Sequence, residues 1–323
     1  MRVCVLSDEH LEDFDPAPYL KGYDWEMVTL IAPVAEKIRA LAATGKYDVF
    51  LNVCEGYEFE DEEDDEQGYQ GIEVVQALEE MNLPFTGADS HCFDPTREEM
   101  QALADANDVG FAKGYRVHNV EEAKQLVKNL RFPVMVKHPK SYGSTGMFKE
   151  SRADTLEQVL VQVKRVCGEF GAARMEEFIV GREYNVLVVD NPADLGNPFV
   201  YPPAELIFPD GEEFWHTDIK WDYNIPFDFK EVTEPELREK LQDEGLRMFK
   251  AMGISGYGRC DIRVNEKGEL FILEINPNPA IMLPPKEYGP ADYMILYDKD
   301  GYKGFFDRIF ESAFLRQKMR MQK

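Results

Sequence analysis

The chain has 323 residues, 44% hydrophobic and 30% charged, and its 61 acids against 36 bases give a net charge of -25. That length supports two or three packed lobes, and so acidic a surface disfavours nucleic acid and anionic membranes as partners. A polyanionic ligand would need a local basic pocket or metal ions.

No stretch is long and apolar enough to cross a bilayer, and the opening "MRVCVLSDEH" turns acidic too soon for a secretory signal. Five cysteines (Cys4, Cys54, Cys92, Cys167, Cys260) lack CxxC spacing, the pattern of reduced thiols in a cytoplasmic compartment.

From the N-terminus, "RVCVL" reads as a strand and "LIAPVAEKIRALAATG" as a helix, with Ile31, Val34, Ile38 and Leu41 at helical spacing. "YDVFLNV" reads as a buried strand and "GIEVVQALEEMN" as an amphipathic helix. Strand–helix alternation predicts an α/β layer with a parallel sheet. Within it, the acidic run Glu58–Glu66 reads as a solvated excursion rather than a calcium loop, since it lacks the Gly and the spaced ligands of one. After residue 94 come a helix near 96–107, the strand "GYRV", a helix capped by Asn119, the strand "FPVMVKHP" and the helix "DTLEQVLVQVKRVCGEF". From Ala173 strands dominate, interrupted by a helix in which Thr233 and Glu236 have capping-box spacing and Gly253 stands at the C-terminal end. The expected organisation is α/β, with α+β lobes after the first layer: residues 1–94, 95–178 and 179–323.

The richest segment is "GRCDIRVNEKGELFILEINPNPA". Alternation puts Arg259, Asp261 and Arg263 on one strand face and Leu270, Ile272, Glu274 and Asn276 on one face of the next. A four-residue loop over 265–268 sets Val264 opposite Glu269, Asp261 opposite Ile272 and Arg259 opposite Glu274, and the polar groups converge. A three-residue loop would flip the parity and scatter them. Two carboxylates and an amide oxygen at a rigid strand end suit magnesium; the bland reading is a surface ion pair between Arg259 and Glu274.

Three other stretches carry weaker signals. In "FPVMVKHPKSYGSTGM", Lys137 ends a strand and Gly143-Ser144-Thr145-Gly146 follows, small residues that let backbone N–H groups approach phosphates; alone, GSTG is more often a flexible turn. "RMEEFIVGREYNV" carries Glu176, Glu177 and Glu183, which could meet an adenine hinge and ribose hydroxyls or simply be solvated. "FWHTDIKWDYN" is either a packed aromatic loop or a lid with Lys220 near a phosphate. The five histidines show no metal-ligand spacing.

In this order, and with "QGIEVVQALEEMNLPFTG" ahead of them, these stretches resemble the D-alanine–D-alanine ligase branch of the ATP-grasp superfamily over most of the chain. The resemblance implies an ATP-grasp fold behind an N-terminal parallel α/β domain, a cytoplasmic homodimer, and ATP held between two lobes with two magnesium ions, manganese being able to stand in. It implies Lys137, Ser144 and Thr145 at the phosphates, Glu176 at the adenine hinge, Glu183 at the ribose and Lys220 near the γ-phosphate. Asp261, Glu274 and Asn276 match the family's metal ligands, and Arg259 the arginine that steadies the acyl phosphate. Arg97 stands in for a phosphate-side lysine. Ala280 replaces a glycine whose N–H lines the oxyanion site. Glu9 is a candidate for the substrate amino group, Trp221 stands where the family has tyrosine, and "IMLPPK" offers no match for the serine that holds the second substrate's carboxylate. The implied activity is ADP-forming ligation of a small-molecule carboxylate and amine. A small-molecule kinase or a nucleotide-binding regulatory protein are the alternatives.

Overall fold

The computed structural model of the chain describes residues 1–8, 14–57, 69–140, 144–220 and 227–322. Glu9, Glu58–Glu66, Gly143 and Trp221 lie outside the described residues.

The first sheet is parallel, in the order β2-β1-β3, with β1 at Arg2–Asp8, β2 at Asp24–Leu30 and β3 at Val49–Asn52. One face packs against α1 (Val34–Ala43) and α2 (Gly71–Glu80), where Val34, Ile38, Val74, Val75 and Leu78 meet Cys4, Leu6 and Phe50. Ile31, expected on the apolar face of α1, precedes the helix and is 51% exposed. Pro33 ahead of it explains the late start, because the residue before a proline is turned away from helix. A short ribbon of β4 (Gly56–Tyr57) and β5 (Tyr69–Gln70) leads into α2.

The second sheet is antiparallel, in the order β6-β9-β7-β8: β6 Gly114–Val117, β7 Val134–Lys137, β8 Arg152–Ala153 and β9 Ala173–Glu177. Helices α4 (Val120–Leu126) and α5 (Leu156–Phe170) cover it through Ala123, Val159, Val163 and Val166. The Asn119 and Thr155 side chains accept the N–H groups of Glu122 and Gln158, so both helices start on real caps.

The third sheet runs β13-β12-β10-β14-β15, with β11 also paired to β10. Its strands are β10 Gly181–Val189, β11 Phe199–Val200, β12 Ala204–Ile207, β13 Asp228–Glu231, β14 Tyr257–Asn265 and β15 Leu270–Pro277. Helix α7 (Pro235–Ala251) packs on it through Leu241, Met248 and Phe249. The expected Thr233–Glu236 capping box does not form: α7 begins at Pro235 behind Glu234, with no side-chain cap. Proline at the first helical position serves instead, since its missing N–H would have had no partner there. Helix α3 (Arg97–Ala106) buries Met100 and Ala104 in this same cluster, α6 (Thr217–Lys220) is a single turn, and α8 (Pro290–Tyr297) and α9 (Gly301–Arg320) close the chain. Met294, Ile295, Phe305, Phe306, Ile309 and Phe310 of these last helices fill the second face of the parallel sheet, against Val3, Val5, Val49 and Leu51.

Candidate active site

The β14–β15 turn is the three-residue case. Asn265 N–H donates to the Glu269 carbonyl at 3.1 Å, and Gly268 takes the left-handed φ of 78° that closes such a turn. Val264 therefore pairs with Leu270 and Ile262 with Ile272, the register that would scatter the polar groups. A β-bulge then intervenes: between Asp261 and Ile262 the register shifts, leaving Leu273 as the extra residue, and Asp261 pairs with Glu274 and Arg259 with Asn276. The expected pairings of Asp261 with Ile272 and of Arg259 with Glu274 are thus replaced. Ile272 turns into the core beside Ile262, Cys260 and Ile275. One extra residue changes the parity, so Arg259, Asp261, Glu274 and Asn276 still share a face.

On that face Arg259 binds Asp261 with both arms, Nε to Oδ1 at 2.7 Å and an Nη to Oδ2 at 3.0 Å. Glu274 pairs instead with Arg97, the first residue of α3, whose side chain is buried. The Asn276 amide nitrogen lies between the two acids, 3.2 Å from Asp261 and 3.4 Å from Glu274. From β10, Asn185 Nδ2 donates to Asp261 Oδ1 at 2.7 Å, and its buried Oδ1 has no hydrogen-bond partner among the described residues. The two carboxylates are the oxygen donors a hard cation takes, while both amides turn their nitrogens toward them and Arg259 and Arg97 bind them as positive partners.

Around this face stand the remaining groups. Lys137, at the end of β7, meets Glu176 of β9 at 2.5 Å, and the fully buried Arg174 holds the other Glu176 oxygen at 2.7 Å. Glu183 on β10 pairs with buried Arg263 at 2.9 Å, directly across the β10–β14 ladder. Burial raises the Glu274 carboxyl, but the charges of Arg97, Lys137, Arg259 and Lys220 outweigh it and bring it down to about 2. Burial lowers Lys220, as does Arg259, while Glu274, Asp261 and Glu183 pull it up. Burial also lowers Lys137, against the pull of Glu176. These mutual fields join groups from α3, α6, β7, β9, β10, β14 and β15 into one cluster. In a chain of net charge -25, four cations, Arg97, Lys137, Lys220 and Arg259, gather here among the acids Glu176, Glu183, Asp261 and Glu274.

Ser144 and Thr145 lie in the turn after β7, and Ser144 has a left-handed φ of 64°. Thr217 of α6 ties this turn down: its hydroxyl donates to the Ser144 carbonyl at 3.1 Å and its N–H to the Met147 carbonyl at 2.9 Å. The glycine-rich loop and the aromatic loop bearing Lys220 are thereby stitched together. Ala280 is exposed just beyond the strand end. Sequence reasoning missed the roles of Arg174, Asn185 and Arg263. Arg263 and Asn185 were legible in principle, because each lies two residues along a strand from a residue already singled out (Asp261 and Glu183). Buried His216 bonds Glu212 through Nε2 at 2.9 Å.

Residues 101–282 match the family model described as D-ala D-ala ligase C-terminus. The chain belongs to the D-Ala–D-Ala ligase family. It is a D-Ala–D-Ala ligase-like, ATP-dependent carboxylate–amine ligase. A D-alanine–D-alanine ligase of Acinetobacter baylyi is 26% identical over 218 residues, 67% of this chain and 67% of that protein. The D-alanine–D-alanine ligase structure from Coxiella burnetii shares the fold at a TM-score of 0.72 and 17% identity, over 100% of this chain and 96% of that one. The Bacillus anthracis ligase solved in complex with ATP matches at 0.65 and 18% identity, over 99% of both chains. The ATP-grasp fold expected from the sequence is therefore the fold of this chain.

Proposed function

We propose that the D-Ala–D-Ala ligase-like chain joins two amino acids, or an amino acid and a small amine, in an ADP-forming reaction through an acyl phosphate. A substrate carboxylate oxygen attacks the γ-phosphorus of ATP and ADP leaves. The amine then attacks the acyl carbon, and phosphate leaves as the amide forms. The observation that carries this reading is the shared face of Arg259, Asp261, Glu274 and Asn276, with Lys137, Lys220 and Arg97 around it. Lys137 and the Ser144–Thr145 turn would hold the phosphates, with Glu176 at the adenine hinge and Glu183 at the ribose. Lys220 approaches the γ-phosphate from the aromatic loop. Arg259 stabilises the oxyanion of the acyl-transfer step, and the Ala280 N–H adds a second donor. Most of the rate enhancement is positioning and electrostatics, so no general base triad is required.

Asp261, Glu274 and Asn276 are the residues that would hold magnesium. When bound, magnesium spreads the negative charge of the β- and γ-phosphate oxygens. Arg97 pairs with Glu274 and so belongs to the metal end of the site as much as to the phosphates. We further propose the homodimer and the cytoplasmic location. No helix among the described residues is long and apolar enough to cross a membrane. The test is ADP release from magnesium-ATP across a panel of amino-acid pairs, with products weighed by mass spectrometry. A condensed product that requires both substrates supports the ligase; phosphorylation of a single substrate would replace it with a kinase.

A further inference from the structure

The two acids of the hairpin are already engaged by positive partners, and this bears on how a cation reaches them. Asp261 accepts Arg259 Nε and Asn185 Nδ2 on Oδ1, each at 2.7 Å. Its Oδ2 accepts a second Arg259 nitrogen at 3.0 Å and Asn276 Nδ2 at 3.2 Å. An ionised carboxylate offers about four lone-pair sites, so these donors fill Asp261. Glu274 accepts Arg97 on Oε2 and Asn276 Nδ2 on Oε1, the latter at 3.4 Å. Every oxygen of the two acids therefore carries an N–H donor, and each acid carries a guanidinium. Neither arginine is a surface group: the Arg97 and Arg259 side chains are 8% and 18% exposed.

A hard cation needs those same lone pairs for its first shell. Turning the Asn276 amide about its last side-chain bond would clear one site on each acid and bring an oxygen in. Arg259 and Arg97 would stay at contact, so a bare dication would face two guanidiniums across the carboxylates they share. In a partly buried cluster that repulsion is little screened. Releasing the arginines instead strands them in the interior without a partner, the unfavourable way to break a buried pair. A polyphosphate removes the conflict, because its anionic oxygens give both guanidiniums somewhere to turn, and their forked donors suit phosphate as well as carboxylate. An Arg259 drawn off Asp261 is also an Arg259 available to the acyl group, the role proposed for it above.

We propose that Arg259 and Arg97 gate the metal site: they hold Asp261 and Glu274 closed to a free divalent cation and yield them to one that arrives with the nucleotide's phosphates. The inference rests on the ligase reading above and deepens the part its metal residues play. It is tested without turnover, by equilibrium dialysis of manganese against the full chain. Only the binding that Glu274→Gln abolishes is counted, since so acidic a surface takes up manganese elsewhere. The wild-type chain binds this manganese about tenfold or more tightly with β,γ-methylene-ATP than without it, a coupling of ordinary size. Arg259→Lys keeps the charge, but one ammonium cannot bond both Asp261 oxygens in the arginine's fork. It tightens the binding of manganese alone about tenfold, the scale of one charge-assisted hydrogen bond. Arg97→Lys does the same through Glu274, and it decides the matter alone if Arg259→Lys does not fold. Both variants leave the net charge unchanged, so a general field effect would move neither. Unchanged affinity for manganese alone in the folded variants overturns the gate, as does a wild-type chain that binds manganese equally well with and without the analogue. If Glu274→Gln removes no manganese even with the analogue present, it is the metal assignment that fails, and the gate falls with it.

Discussion

Glu274→Gln keeps the side-chain shape and removes the charge on which four cations converge. The folded carboxyl stands at about 2 against an ordinary 4.5, and at about 1.4 kcal/mol for each pKa unit the ionised group stabilises the fold by about 3 kcal/mol. Because the folded value is the lower one, that contribution is whole above 4.5 and is lost as pH falls toward about 2. The variant should therefore unfold in urea at lower concentration than the wild type at pH 7, by the equivalent of about 3 kcal/mol. The gap should hold down to about pH 5 and narrow below that, approaching about 1.4 kcal/mol per pH unit. Tryptophan fluorescence in paired urea titrations reads it. A gap independent of pH, or none at pH 7, would refute the electrostatic account of this cluster. The same variant should lose magnesium-dependent turnover.

Arg259→Ala should lower kcat about a hundredfold, the scale of a lost oxyanion donor, while ATP affinity measured by calorimetry changes little; an effect confined to ATP binding would reassign the residue. Arg263→Met leaves Glu183 buried without its partner and should destabilise the fold by about 3–5 kcal/mol, seen as a fall in urea midpoint; an unchanged midpoint would mean Glu183 is not held as an ionised pair. Gly256→Ala places a Cβ inside the contact radius of the Gly87 carbonyl at a φ of 76°, and thermal melting should show a loss of more than about 1 kcal/mol.

The sequence was most legible where chemistry and periodicity coincide. "LFILEINPNP" announces a strand ending in ligands, and the parallel layer follows from its alternating strands and helices. The bulge at Leu273 was not legible, because an extra residue inside an apolar run leaves no mark on composition, yet it decides which residue faces Asp261. The role of Arg97 was hidden for another reason: its partner Glu274 is 177 residues away, and only the packing of α3 brings them together. The C-terminal helices went unread because α9 buries Ser312 and Arg316 among its phenylalanines, so no clean apolar stripe marks it. Arg316 meets Asp89 and Asp190 and bonds the Phe85 and Gly87 carbonyls, an interior charge satisfied by partners far along the chain.

The central claim is a reaction through an acyl phosphate, and isotope transfer tests it most directly. A substrate amino acid carrying oxygen-18 in both carboxylate positions is incubated with magnesium-ATP and the amine, and the released phosphate is weighed. Transfer of one labelled oxygen to phosphate, with ADP as the other product, is what the account predicts, since the oxygen that attacks the γ-phosphorus leaves with it. Unlabelled phosphate beside a formed amide, or AMP in place of ADP, would contradict it.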